Sequence, residues 1–149
     1  MKNVAFGSKR PRKPFYTLII EREPNMFKML RHDLPVLLPG IKFEFVKKLT
    51  EIAADLALAE PANGDLIPKV IVYGPSGKES ADYIDACCGL IRGVCPKTKR
   101  LAPKIILFAA CPVPQLTLTN VTIVMKPNVN ALCEAIKGFM PQRVRTASP

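Results

Sequence analysis

Lys126 and Pro127 close the run VTIVMKP (121–127), in which Val121, Ile123 and Met125 alternate with Thr122 and Val124. Alternation over this length predicts a short, mostly buried strand. The strand stops at a cation, and the proline after it cannot donate to a sheet ladder. An apolar helix pattern follows over 128–140, with Val129, Leu132, Cys133, Ile136 and Met140 on one face. A lysine at the carboxyl end of a strand, just before a strand-to-helix loop, sits where open α/β sheets bind ligands. At the other end of the chain, TLIIEREP (17–24) is a second apolar run that ends in charges. If the two strands are parallel and central, Glu21, Arg22 and Lys126 meet at one edge of the sheet.

Other candidates for chemistry are weaker. GPSGKES (74–80) has the glycines and lysine of a phosphate-binding loop but not their spacing. Only two residues separate Gly74 from Gly77, and Lys78 is followed by Glu79, so no hydroxyl stands next to the lysine to hold Mg²⁺. The segment reads instead as a helix start, with Ser76 and Glu79 as a capping box. His32 is the single histidine and reads as a surface residue on the first helix. Cys87 and Cys88 fit a helical core face, while Cys95, Cys111 and Cys133 are scattered. Zinc sites want paired ligands at short spacing, and none is present. No nucleophile–base constellation emerges, and the chain is expected not to be an enzyme and to hold no metal or cofactor.

The elements that must position these residues alternate along the chain. YTLII (16–20), IKFEF (41–45), VIVY (70–73), IILFAA (105–110) and the run at 121 read as strands. Continuous apolar runs suit strands buried on both faces. In 41–45, Ile41, Phe43 and Phe45 alternate with Lys42 and Glu44, which fits an edge strand. A first helix is expected with Asn25 as its cap and Phe27, Leu30, Leu34 and Leu38 on one face, kinking or ending near Pro35. A second helix is expected at 50–60, and a third places Ile84, Cys87, Cys88 and Ile91 at i, i+3, i+4 and i+7. CPVPQLTLTN (111–120) has ten residues and two prolines, too few for two turns and a full helix.

Strand, acid, Glu-Pro and helix at one end, with strand, Lys-Pro and helix at the other, resembles the receiver domain of two-component response regulators. The resemblance spans roughly 15–140 and implies a three-layer, flavodoxin-like α/β fold, with a five-stranded parallel sheet in order 2-1-3-4-5. Here the fourth helix should be truncated or absent. Family receivers hold Mg²⁺ on two acids after the first strand and phosphorylate an Asp after the third. They carry a Ser or Thr after the fourth strand and a Lys after the fifth, commonly before a cis proline. In this chain Glu21 matches the first acid, Arg22 replaces the second, and Tyr73 or Gly74 falls at the acceptor. Ala109 replaces the hydroxyl residue, and Lys126 with Pro127 is retained. The resemblance therefore implies a degenerate receiver pocket, with Arg22 standing where metal charge would be and Glu21 paired with Arg22, Lys126 or both.

A chain of 149 residues, 48% hydrophobic and 23% charged, is sized and composed as one globular domain. The five cysteines follow no disulfide framework and no signal-peptide core precedes them, so reduced thiols in the cytoplasm are expected. No apolar run is long enough for a membrane span. The basic charge gathers in the tails: residues 1–14 carry +5, including Lys9, Arg10, Arg12 and Lys13, and 141–149 carry +2. Of the formal +10, only +3 is left for 15–140. Residues 1–14 read as a basic flexible arm, 15–140 as the domain and 141–149 as a basic tail. Two function classes follow. One is a phosphorylation-independent signalling module that binds a protein partner, with a second copy of the chain as one candidate. The other is a nucleic-acid-binding protein that uses the basic arms on an α/β scaffold.

Overall fold

The computed structural model describes residues 15–48, 68–94, 103–110, 116–117 and 120–140. Both basic tails, Lys9, Arg10, Arg12 and Lys13 among them, and the helix expected at 50–60 lie outside the described residues. Five strands form one parallel sheet: β1 (Phe15–Glu21), β2 (Ile41–Val46), β3 (Val70–Gly74), β4 (Lys104–Ala109) and β5 (Val121–Met125). Their order is β2-β1-β3-β4-β5, as the resemblance implies. Among the described residues the helices are α1 (Pro24–Leu37), α2 (Ala81–Val94) and α3 (Val129–Gly138). None is long and apolar enough to cross a membrane.

Side-chain alternation builds the layers. Leu18 and Ile20 of β1 face α2 in a core with Ile71, Tyr73, Leu107 and Ala109. Ile19 faces the opposite way, toward α1 and α3, with Val72, Ile106 and Phe108. The three inner strands are buried on both faces, which is why their sequences read as continuous apolar runs rather than alternating ones. Burying each Leu, Ile or Val contributes about 1.5–3 kcal/mol, and this core is what holds the charged strand ends in place.

Three local expectations are corrected. The first helix starts two residues earlier than a cap at Asn25 would dictate, because Pro24 takes the first turn, where its missing N–H costs nothing. Glu23 holds the cap position without a side-chain bond. Helix α2 starts at Ala81 rather than after Ser76, and Ser80 caps it by accepting from the Tyr83 N–H at 3.2 Å. Finally, β5 is an edge strand rather than a mostly buried one: Ile123 and Met125 are 45% and 43% exposed, and only Val124 is buried. No helix is found between β4 and β5 among the described residues. The crossover is instead tied to α2 by Asp85, which accepts from the Thr117 N–H at 2.8 Å and from its hydroxyl at 2.7 Å.

Candidate functional site

The parallel register sets Glu21 at the end of β1 opposite Gly74 at the end of β3. Lys126 follows β5, and its N–H donates to the Ala109 carbonyl at 2.8 Å. These register positions bring Glu21, Gly74, Ala109 and Lys126 to the carboxyl edge of the sheet. Lys126 Nζ donates to Glu21 Oε2 at 2.6 Å and to the Pro75 carbonyl at 2.9 Å. It also lies 5.9 Å from the Phe108 ring centroid, a cation–π contact. The Glu23 N–H donates to the same Glu21 oxygen at 2.9 Å. The Lys126–Pro127 bond is cis, and Asn128 then caps α3 by accepting from the Ala131 N–H.

This pair is almost dry, with the Glu21 side chain fully buried and that of Lys126 7% exposed. Burial pushes the Glu21 carboxyl up to about 7, and the bonds from Lys126 and the Glu23 N–H pull it back only in part. Glu21 Oε1 is buried with no hydrogen-bond partner. It lies against Gly74 so closely that a Cβ on that residue would fall 1.9 Å from it. The glycine is thus required by close approach, and the Glu21 carboxylate fills the space that an acceptor side chain at Gly74 would need.

A second charged pair occupies the other face. Arg22 follows Glu21 in sequence, and its Nε meets Glu79 Oε2 at 2.8 Å, not Glu21 as one expectation had it. Glu79 also accepts from the Tyr73 hydroxyl at 2.6 Å and from the Ser76 N–H at 2.9 Å. The Ser76–Glu79 relation read from the sequence is therefore present, but it closes a tight loop and leaves the helix to Ser80. Burial, then the neighbouring Cys87 thiol and the Glu79 carboxylate, drive the Tyr73 phenol well above its ordinary value. Tyr73 is a buried structural donor. Glu79 is the site residue that sequence reasoning missed. The signal for it was Tyr73 itself, since a tyrosine on a buried strand needs a partner for its hydroxyl.

The arrangement limits the chemistry available. Mg²⁺ wants several oxygen ligands. Glu21 and Glu79 lie on opposite faces of the sheet, each with a cation of the chain beside it. Among the described residues no three acidic, histidine or cysteine side chains converge. Burial pushes Cys88 up to about 11 and also raises Cys133, so these thiols are poorly ionised at neutral pH. His32 is exposed beside Asp33 and takes part in neither pair.

No protein-family model matches the chain, and no curated protein matches it by sequence. Solved structures do match the fold. A response regulator receiver domain protein from Bacillus halodurans superposes with a TM-score of 0.59 at 13% identity, over 87% of this chain and 99% of that one. An orphan response regulator of H. pylori gives 0.53 at 11% identity, over 88% and 100%. The phosphorylated cyanobacterial phytochrome response regulator gives 0.51 at 16% identity, over 84% and 90%. The chain is a receiver-like domain in its fold.

Proposed function

We propose that this receiver-like domain signals without phosphorylation, by binding a protein partner in the cytoplasm, and that it is not an enzyme. The observation that carries the reading is the contact between Glu21 and Gly74. The place matched to the family's phosphorylated Asp falls at Tyr73 or Gly74, neither of which has a carboxylate, and a Cβ on Gly74 would lie 1.9 Å from Glu21 Oε1. No acyl phosphate can form on a residue without a carboxylate. The lysine that the resemblance assigns to the phosphoryl group is held by Glu21 at 2.6 Å instead. Arg22 stands at the place of the second metal-binding acid, and its charge opposes a divalent cation. Ala109 has no hydroxyl to bond a phosphoryl oxygen. A domain whose site is filled by its own ion pair offers a partner no second conformation for phosphate to select.

The test is incubation with acetyl phosphate and Mg²⁺ followed by intact mass, alongside an NMR titration with beryllofluoride. The expected result is an unchanged mass and no Mg²⁺-dependent shift at Glu21, Gly74 or Lys126. A stoichiometric gain of one phosphoryl group in this loop cluster would refute the reading.

A further inference from the structure

The site holds one atom that neither pair explains. Glu21 Oε1 is fully buried without a partner, while Oε2 of the same carboxylate takes both Lys126 and the Glu23 N–H. An orphaned carboxylate oxygen is a costly thing to bury, and it is the atom at which a proton adds without displacing an existing bond. We propose that the Glu21–Lys126 pair is a proton-operated latch: one proton taken from solvent at Glu21 Oε1 frees Lys126 from the sheet edge and loosens the 75–79 loop behind it. The inference rests on the reading of this site as filled by its own ion pair.

The geometry supplies each step. Lys126 Nζ bonds Glu21 on β1 and the Pro75 carbonyl after β3, so a single ammonium ties three strand ends together. A carboxylic acid keeps the Glu23 bond at Oε2 but no longer offers Lys126 a counter-charge. An ammonium 7% exposed and left with one carbonyl and a ring face turns to solvent. The charged groups that act on Glu21 are Lys126 from the end of β5, which favours the anion, and the Glu23 carboxylate from the start of α1, which opposes it. Burial outweighs both and places the carboxyl near 7, inside the range over which a cell can move it. Pro75 is joined directly to Ser76, whose N–H is held by Glu79, so release at Pro75 reaches the partly exposed Arg22–Glu79 pair. The latch is closed above its midpoint and open below it.

The experiment is an NMR titration of the full chain, labelled with carbon-13 and nitrogen-15, between about pH 5 and 9. The expected result is a Glu21 carboxyl carbon that titrates near 7, with the amides of Ser76, Lys126 and Arg22 shifting at the same midpoint. A Glu21→Gln variant should show those amides in their low-pH positions throughout. A Glu21 carboxyl that titrates below about 5, or one that titrates while the Ser76 and Arg22 amides stay still, overturns the latch. The wild-type arm decides the matter even if the variant fails to fold. The acetyl phosphate experiment keeps the two readings apart. A phosphoryl mass gain in a protein whose Glu21 titrates near 7 would sink phosphorylation independence and leave the latch standing. A carboxyl that is silent in a protein that takes no phosphate would do the reverse.

Discussion

Glu21 and Arg22 are neighbours in sequence, yet they serve two ion pairs on opposite faces of the sheet. Glu21–Lys126 is closed off at both ends, with side-chain exposures of 0% and 7%, while the second pair is open at one end, with Arg22 31% and Glu79 8% exposed. The closed pair has no water to fall back on, so removing one member strands the other. In the second pair Arg22 can trade its partner for solvent and Glu79 keeps the Tyr73 hydroxyl and the Ser76 N–H, so the pair should be worth little more than an exposed one, about 0–1 kcal/mol. Similar distances of 2.6 and 2.8 Å therefore conceal very different energetic roles.

Lys126→Met sharpens that contrast most. It leaves Glu21 buried and unpaired, and denaturant unfolding at pH 8 should show a loss of about 3–5 kcal/mol. The loss should shrink toward pH 5 as Glu21 takes a proton, and a pH-independent loss would mean that the carboxylate finds another partner. The wild-type protein should carry a related pH dependence. Its folded Glu21 is raised from 4.5 to about 7, so the folded state binds that proton more tightly than the unfolded chain. The stability from this group is full below 4.5 and is lost as pH rises through about 7. At 1.36 kcal/mol per unit, the loss is on the order of 3 kcal/mol, and Glu21→Gln should abolish it.

Gly74→Ala attacks the same pair from the side. Its methyl must displace Glu21 Oε1, and overpacking of this kind costs about 1–3 kcal/mol by thermal or chemical unfolding. Arg22→Gln should move stability by under about 1 kcal/mol, because Glu79 keeps Tyr73 and Ser76. A larger loss would mean that the open pair is as structural as the closed one.

Much of this was legible in the sequence, for identifiable reasons. The inner strands announced themselves because burial on both faces forces continuous apolar runs, and Lys126-Pro127 marked a strand end by its charge and missing donor. The alternation in 121–125 was equally visible, but alternation does not say which face is covered. With no described helix over that flank, Ile123 and Met125 face solvent. Glu79 was hidden by a correct local pattern, since Ser76 and Glu79 do bond while Ser80 caps the helix. The clash of Glu21 with a Cβ at residue 74 could not be read at all, because it depends on a β1–β3 register that no local pattern encodes.

The Glu21–Lys126 bond joins residues 105 positions apart, and both ends wait on strands that must pair through β3 and β4 first. Closing so long a loop is entropically demanding, so a contact of this kind forms after the chain has largely collapsed. Its energy then belongs to the descent from the folding barrier and not to the climb. The pair should leave the folding rate nearly untouched and govern how long the native sheet lasts before it opens. What the dry pair sets, on that view, is a rate of opening that is slower below pH 4.5, where Glu21 is neutral, than above about pH 7, where it is charged.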